Sequence, residues 1–444
     1  MRKYINYKKL KTKKNTKRNK LTQEDFSYSI NYFFIFIRIL FLLIIFYIAK
    51  FSFKTIRAYK NNNKRIFEKI IDFEKNLKNI TENEIQEFRQ FNIDNKLLNE
   101  QNFKKGNNPD ISVIITIHNQ AHCLHKCLRS VQNQSIKNLE IIFVDDCSTD
   151  NSTEIIKEFQ KYDERIILIN HDTNEGTIKS RTDGVRQAKG KYISIIDGDD
   201  TLIHKDVFYN SLYIANLGNL DVVEFKASYY RNRKFKEVVN SYSLINLTDI
   251  VYQPELRTKF FIITDNNDGI RAVQNRNIWG KLIRNKVFQQ AIINIGPKYT
   301  DDYILQYEDT IMAVALFQVA QSYYLMKEIG YYYSRDEFGG RFPAVKGRTC
   351  KPNTNKIKDM GHIKLLQFLL EKTENTELER QLVYHELISI DHYLSLVYFT
   401  YHNYEMVYEV IDPLLQSPFL KEKQKERLTI IKNKLLEKQN KKLI

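Results

Sequence analysis

The sequence predicts an α/β protein built on a mostly parallel sheet flanked by helices. From residue 110 onward, short runs of β-branched and aromatic residues alternate with amphipathic helical segments. Strands that alternate with helices at these lengths form βαβ units and a parallel sheet. Two predicted strands end on carboxylates, at Asp145-Asp146 and at Asp197. Because ligands bind beyond the carboxyl ends of the strands in an open α/β sheet, these acids predict where the site lies.

The elements can be placed along the chain in order. Strands are predicted at 111–117, 139–144, 165–169, 192–196 and 221–225, and helices at 121–133, 151–162, 175–188 and 308–320. Residues 322–333 contain two short strand-like runs, and the chain then becomes helical, at 357–370, 378–399, 406–415 and 423–438. Residues 110–340 are therefore predicted to form the α/β domain, and residues 341–444 a helical C-terminal region.

The N-terminal residues predict a membrane anchor. Residues 31–50 include Tyr32–Ala49, eighteen almost wholly apolar residues that would span about 27 Å as a helix. Arg38 interrupts this stretch, close enough to its start for the guanidinium to reach the lipid headgroups. A buried core helix is the alternative. Residues 1–30 form a basic arm before the anchor, and residues 51–109 are predicted to form a helical or coil stem after it.

Charge bears on the orientation and the partners of the chain. Basic residues flank the predicted span on both sides, but the extra charge of the arm favours a cytosolic N-terminus. The body would then lie in the ER or Golgi lumen, and we expect glycosylation at Asn79 of the stem. The net charge of +16 first suggests nucleic acid or an acidic membrane surface. Much of that charge lies in the arm, so we expect no nucleic-acid partner for the body.

The four cysteines predict no disulfide framework in a chain of this length. The run 122–127 (His-Cys-Leu-His-Lys-Cys) has a spacing found in metal sites. On a helix, however, Cys123 and Cys127 share a face with apolar neighbours. Free cysteine packs well as a small core residue, so we interpret both as buried and predict no zinc site.

The stretch Lys191–Asp200 joins a buried strand to an acidic turn, Asp197-Gly198-Asp199-Asp200. Two carboxylates spaced two residues apart at the end of a strand can both reach one hard cation. Mg²⁺ and Mn²⁺ prefer oxygen ligands, and Mg²⁺ is commonly held by one or two carboxylates plus substrate phosphates. An ordinary polar turn is the alternative, since Asp and Gly are frequent turn residues.

Seven blocks occur in a fixed order along the domain. They are Ser112–Asn119, Val144–Asp150, the group Asn174–Gly176 with Ser180-Arg181 and Ala188–Tyr192, Asp197–Asp200, Trp279–Leu282, Glu308-Asp309 and Tyr331–Arg335. In this order they resemble the family 2 glycosyltransferases, which are inverting, nucleotide-sugar-dependent enzymes with the Rossmann-like GT-A fold. The resemblance covers residues 110–335, and Asp197-Gly198-Asp199 is similar to the DxD motif of the family. The chain departs from the family at Cys147, where glycine is usual, and at His118, where an aromatic residue is usual.

The resemblance implies roles for individual residues. The nucleotide-sugar would be bound by Thr116, His118, Asn119, Asp145, Asp146, Arg181 and Asp197. His118 would stack on a uridine ring, and Asp145 would accept a hydrogen bond from its N–H. Asp199, with Asp197, would ligate Mn²⁺ or Mg²⁺. Arg181 would meet the diphosphate or order the carboxylates.

Other residues of the same blocks would serve transfer. Asp309 would take the proton of the acceptor hydroxyl, with Glu308 beside it. Trp279 and Lys281 would contact the sugar or the acceptor, which is a glycan, a lipid or a protein. The structural alternatives are a surface pair of Arg181 with Asp183, a helix cap at Glu308-Asp309 and a core position for Trp279.

Two other functions compete with glycosyltransfer. Ile196–Leu202 also resembles the first motif of haloacid-dehalogenase-type phosphatases, with Asp197 as nucleophile and Asp199 as acid/base. That motif should open the sheet, whereas several strands precede it here. The second is a catalytically inactive GT-A domain acting as a binding module, which the intact Asp199 and Asp309 disfavour. The Gln-x-x-Arg-Trp motif of processive synthases is absent, so we expect a single transfer per encounter.

Overall fold

The computed structural model describes residues 62–77, 103–104, 106–231, 234–237, 250–256, 263–264, 270–272, 277–304, 307–334, 361–372, 380, 383–384 and 410–442. The predicted basic arm, the predicted anchor at Tyr32–Ala49 and Asn79 lie outside these residues. Within the ranges given, no helix is both long enough and apolar enough to cross a bilayer. The chain divides into two compact units, Met1–Ile66 and Phe67–Ile444, and the fold below is that of the second.

A ten-stranded sheet, counted over the described ranges, forms the centre of this unit. Its strands are β1 Ile111–Ile117, β2 Leu139–Asp145, β3 Ile166–Asn170, β4 Tyr192–Asp197, β5 Thr201–Leu202, β6 Val222–Arg231, β7 Lys234–Glu237, β8 Val251–Tyr252, β11 Lys281–Arg284 and β12 Ser322–Tyr333. The order is β3-β2-β1-β4-β11-β6-β12-β5, with β7 beside β6 and β8 beside β12. β9 Ile263–Thr264 and β10 Ile270–Ala272 form a separate two-stranded sheet.

The sheet has two halves of different character. β1 to β4 pair in parallel, as predicted. β11 runs antiparallel to both β4 and β6, and β12 is parallel to β6 but antiparallel to β5 and β8. The prediction of a mostly parallel sheet therefore holds for the first half only, because β11 enters between β4 and β6 in the opposite direction.

The helices cover both predicted and unpredicted segments. They are Leu124–Gln132, Ser152–Gln160, Thr177–Gln187, Val207–Gly218, Asn285–Ile295, Pro297–Thr300, Glu308–Val319, Gly361–Lys372, Asp412–Leu415 and Glu422–Lys442, and residues 67–75 are also helical. Every predicted element between residues 111 and 196 is confirmed within three residues at each end. Of the predicted helix at 378–399, only residues 380, 383 and 384 are described.

Residues 322–333 form one strand rather than the two predicted runs. Its register against β6 shifts between Leu325 and Ile329 and again before Tyr331. The charged pair Lys327-Glu328 lies in this irregular part, which makes the strand look interrupted in sequence. A bulge absorbs the extra residues without ending the strand.

Two packing features bear on the site. Gly184 lets the helix Thr177–Gln187 lie close against β1, since a Cβ there would be 2.5 Å from Cγ2 of Ile114. At the other end of the sheet, Glu74 accepts hydrogen bonds from the Tyr324 hydroxyl and the Lys327 backbone N–H, both at 2.8 Å. Ile70 is buried. Residues 67–75, placed in the stem by sequence, are therefore part of the packed unit.

Candidate active site

Three parallel strands end side by side at the site. Thr116 of β1 is in register with Asp197 of β4, and Ile117 of β1 is in register with Asp145 of β2. β1 and β2 are buried throughout, as expected for central parallel strands. The acidic residues that follow them therefore meet at one edge of the sheet, where ligands bind in this class of fold.

A cavity of about 500 Å³ opens at this edge. Nine predicted site residues line it: Thr116, His118, Asp146, Arg181, Asp197, Asp199, Trp279, Glu308 and Asp309. Three predicted residues, Asn119, Asp145 and Lys281, are not in its lining. The lining also includes residues to which the sequence analysis gave no role, among them Gln120, Asn174, Thr177, Ser180 and Tyr333. Asn174, Ser180 and Tyr333 belong to the sequence blocks named above. Those blocks could therefore have identified them as site residues.

Arg181 joins the acids of the cavity. One guanidinium nitrogen lies 3.2 Å from Glu308 Oε1 and 2.5 Å from Asp309 Oδ1, and the other donates to Asp197 Oδ1 at 2.8 Å. Arg181 is only 2% exposed. Burial alone would lower its pKa, but the carboxylates of Asp309, Asp197 and Glu308 raise it. The guanidinium is therefore permanently charged, and the predicted alternative of a surface pair with Asp183 does not occur.

Glu308 and Asp309 open the helix Glu308–Val319, where the helix dipole favours negative charge. Burial and the neighbouring Asp309 nevertheless raise the pKa of Glu308 to about 8. Burial also raises the pKa of Asp309, against the opposing effects of Arg181, Lys281 and a hydrogen bond from the Ile278 N–H. Of the two side chains, Asp309 is the more exposed to the cavity, at 26% against 12%.

The acidic turn holds three carboxylates in different surroundings. Asp197 is paired with Arg181, whereas Asp199 lines the cavity and its pKa is raised to about 6 by burial and by Asp197. Asp200 is buried and accepts hydrogen bonds from the Tyr331 hydroxyl and the Ser334 N–H, both at 2.8 Å. Asp200 therefore ties the turn to the end of β12.

The carboxylates of the acidic turn Asp197–Asp200 are suited to hold a divalent cation together with a ligand. In the part of the chain that the structure describes, no three His, Cys, Asp or Glu side chains form a ready metal cluster. Mg²⁺, however, is commonly held by one or two carboxylates plus substrate phosphates and water. Asp199 meets this requirement, because its carboxylate faces the cavity and a nearby cation would favour its charged form.

The turn after β2 is held by side chains that do not reach the cavity. Asp145 is buried and accepts hydrogen bonds from the Ser148 N–H at 2.9 Å and from the Thr153 hydroxyl. Asn119 Oδ1 accepts from the Thr149 N–H at 2.7 Å. Both residues therefore brace the turn, and their roles in nucleotide binding remain predictions.

The cavity side of the same turn is formed by Asp146 and His118. Asp146 accepts hydrogen bonds from the Gly176 N–H at 2.9 Å and the Glu175 N–H at 2.7 Å. His118 Nδ1 lies 2.8 Å from the Asp146 backbone oxygen, which fixes the imidazole at the cavity wall. In the same turn after β2, directly after Asp146, Cys147 has a φ of 62°. That left-handed conformation explains why glycine is usual at this position in the family that the sequence resembles.

Trp279 and Lys281 occupy different environments, although they are only two positions apart in the chain. The Trp279 ring stacks on Tyr331 and Tyr333, with centroids 4.7 Å and 5.5 Å apart, and it lines the cavity. Lys281 is completely buried and pairs with Glu224. The structure does not support the predicted contact of Lys281 with the sugar or acceptor, because β11 turns this side chain into the interior.

Cys123 and Cys127 are buried, as predicted, and neither is in a disulfide. Their sulfurs lie 3.8 Å from the backbone oxygens of Gly198 and Asp197, respectively. Burial raises the pKa of the Cys123 thiol to about 12. Both residues therefore act as small packing groups beneath the acidic turn.

Comparison with known proteins identifies the domain. Residues 112–275 match the family model described as Glycosyl transferase family 2. The chain contains a family 2 glycosyltransferase domain. Its α/β sheet agrees with the GT-A fold that the resemblance implies, and this family favours glycosyltransfer over the phosphatase alternative.

Named relatives of the glycosyltransferase domain come from bacteria and archaea. Glycosyltransferase GlyA of Streptococcus pneumoniae is 32% identical over 202 residues, which are 44% of this chain and 27% of GlyA. An uncharacterized glycosyltransferase of Methanocaldococcus jannaschii is 28% identical over 242 residues, covering 49% of this chain and 79% of that protein. The chain thus spans only about a quarter of GlyA.

A solved structure shows a looser likeness to the glycosyltransferase domain. S. aureus TarS 1–349 in complex with UDP is 16% identical with a TM-score of 0.49, covering 74% of this chain and 88% of that one. A likeness at this level does not extend the ligand of TarS to this chain.

Proposed function

We propose that this protein transfers a sugar from a nucleotide donor, with UDP as the first nucleotide to test, to an acceptor hydroxyl. The transfer would invert the anomeric centre, be assisted by a divalent metal and occur once per encounter. The observation that carries this proposal is the buried guanidinium of Arg181, which joins the acidic turn to the Glu308-Asp309 pair across one cavity.

The donor side of the cavity suits a diphosphate. Asp199 would hold Mn²⁺ or Mg²⁺, and Asp197 would lie beside it in its pair with Arg181. When bound, the metal offsets the charge of the departing nucleoside diphosphate. Arg181 contributes a fixed positive charge at the same place, since its neighbours keep it protonated. Asp146 and His118 form the adjacent wall, where the nucleoside would lie.

Asp309 is the group best placed to act as the base. A base must be ionised before the reaction, and the pKa of Glu308, at about 8, leaves that residue largely protonated at neutral pH. Burial raises the pKa of Asp309 too, but the Arg181 guanidinium at 2.5 Å and the Ile278 N–H both favour its ionised form. Asp309 would take the proton of the acceptor hydroxyl as that oxygen attacks the sugar from the side opposite the nucleotide. Glu308 would hold a proton and limit the charge beside it.

Three variants separate these roles. Asp309→Asn keeps the size of the side chain but cannot accept a proton, so transfer should fall by about 10²–10⁴-fold while donor affinity is retained. Asp199→Asn should weaken metal-dependent donor binding and lower turnover by at least about 10³-fold. Glu308→Gln should have a milder effect on transfer. The measurements are donor affinity and transfer rate for each variant in the same buffer.

The outcomes distinguish the proposal from its alternatives. Near-normal transfer by Asp309→Asn would mean that the base lies elsewhere and that Glu308-Asp309 only caps the helix. Full activity in EDTA, or in Asp199→Asn, would remove the metal from the proposal. Release of inorganic phosphate from phosphate esters, lost in Asp197→Asn, would indicate a phosphatase. Donor binding without any turnover would indicate an inactive binding module.

A further inference from the structure

Lys281 and Glu224 form a fully buried ion pair behind the cavity wall. They are direct partners across β11 and β6, with Lys281 Nζ 3.2 Å from Glu224 Oε2. Lys281 is 0% exposed and Glu224 is 2% exposed. The Tyr323 hydroxyl donates to the same carboxylate oxygen at 3.1 Å. Removing two charges from water is costly, and an apolar pair of similar volume often serves the core equally well.

The buried Lys281 ammonium makes hydrogen bonds that an apolar side chain could not make. It donates to the backbone oxygen of Asn277 at 2.8 Å and lies 3.5 Å from that of Trp279. The Asn277 side-chain amide donates to the Trp279 oxygen as well, at 2.9 Å. Gly280, with a φ of 71°, then turns the chain into β11. Residues 277–280 are therefore folded around the Lys281 ammonium.

This turn presents two groups to the cavity. The Ile278 backbone N–H acts on the Asp309 carboxyl, lowering its pKa. The Trp279 ring lies nearly parallel to those of Tyr331 and Tyr333, at interplanar angles of 15° and 12°. Trp279, Tyr333 and Asp309 all line the cavity. A shift of the turn would therefore displace both a wall of the cavity and the Ile278 N–H, which favours the ionised form of the proposed base.

We propose that Lys281, held in place by Glu224, is a positioning residue that sets the 277–280 turn and, through it, Trp279 and Asp309. Its effect on transfer rests on the proposed function, whereas its effect on Trp279 does not. Lys281 is buried and lies outside the cavity lining, so its proposed role is to hold the turn and not to contact the substrate. Displacing a reacting group by about 1 Å can cost about 10²-fold in rate.

The test is the double variant Lys281→Met/Glu224→Gln in the full chain. It removes both charges while nearly preserving the shape of the pair, whereas Lys281→Met alone would strand a buried carboxylate. The matched control is Arg284→Met/Asp221→Asn, which removes the pair at the other end of β11, where Arg284 Nε lies 2.8 Å from Asp221 Oδ1. Trp279 is the only tryptophan in the sequence, so intrinsic fluorescence reports on it directly.

The double variant should fold, but its Trp279 emission should move to longer wavelength as the ring leaves its stack. Transfer at saturating donor should fall by at least about tenfold, and the control variant should match the parent in both measurements. A folded double variant with parental emission would overturn the proposal, whatever the activity of the parent. Failure of the double variant to fold while the control folds would also overturn it, because the pair would then serve only the core.

Discussion

The ionisation of Glu308 can be tested through stability. Glu308 is 12% exposed in its side chain, lies 3.2 Å from Arg181 and has Asp309 as its neighbour. Burial and Asp309 raise its pKa from 4.5 to about 8. Glu308→Gln preserves the shape and the oxygen that accepts from Arg181, but it cannot be ionised. The variant therefore isolates the cost of the charge.

The sign of the effect follows from proton uptake. Between pH 4.5 and about 8, the folded state keeps the Glu308 proton that the unfolded state has released. The free energy of unfolding of the parent protein should therefore fall as pH rises through this window. Above pH 8 it should fall no further on account of Glu308. At about 1.4 kcal/mol per pKa unit, the full shift corresponds to at most roughly 5 kcal/mol. The Glu308→Gln variant has no carboxyl to ionise at this position, so its stability should not fall in this way.

The assay is the free energy of unfolding in urea, measured for parent and variant from pH 5 to pH 9. The two should be similar at pH 5, and the variant should gain steadily and be the more stable by several kcal/mol above pH 8. Glu154→Gln, an exposed first-turn glutamate of the helix Ser152–Gln160, controls for the loss of one negative charge. A parent that becomes the more stable protein as pH rises would refute the reasoning, because Glu308 would then be ionised and stabilised by Arg181.

Two further predictions concern the turn after β2 and the membrane. Cys147→Gly should be more stable than Cys147→Ser by about 0.5–1 kcal/mol in urea unfolding, because both variants lack the sulfur but only serine keeps a Cβ at a φ of 62°; equal stabilities would contradict a left-handed conformation at this position. If the span at Tyr32–Ala49 places the body in the lumen, Asn79 should carry a glycan that glycosidase removes, and the body should resist protease in sealed vesicles. An unchanged mass together with protease sensitivity would place the body in the cytosol.

Local patterns were sufficient to predict the first half of the sheet. β1, β2 and β4 are runs of β-branched and aromatic residues, and β2 and β4 end on carboxylates. The helices Val207–Gly218 and Asn285–Ile295 were missed, although their ends carry usable signals. Asn219 is left-handed after the first, and Gly296 with Pro297 follows the second. Glycine or asparagine at the end of a helix is a recognised stop signal.

The candidate site depended on contacts that no local pattern contains. Arg181 and Asp309 are separated by 128 positions, and only the order of the sequence blocks suggested that they meet. The Lys281 side chain points into the interior, towards its cross-strand partner Glu224. The sequence around Trp279 does not reveal this pairing. Asp145 and Asp146 are adjacent in sequence, but the turn sends the first to Ser148 and the second to the cavity.

The most direct test is a screen of nucleotide-sugars with the full chain, measuring nucleoside diphosphate release with Mn²⁺, with Mg²⁺ and in EDTA. We expect metal-dependent release of the nucleoside diphosphate from at least one donor, and its loss in Asp199→Asn. Asp309→Asn should still bind that donor but should no longer transfer its sugar to an acceptor. Absence of release from every donor, or release that is unaffected by EDTA and by Asp199→Asn, would contradict metal-assisted glycosyltransfer at this site.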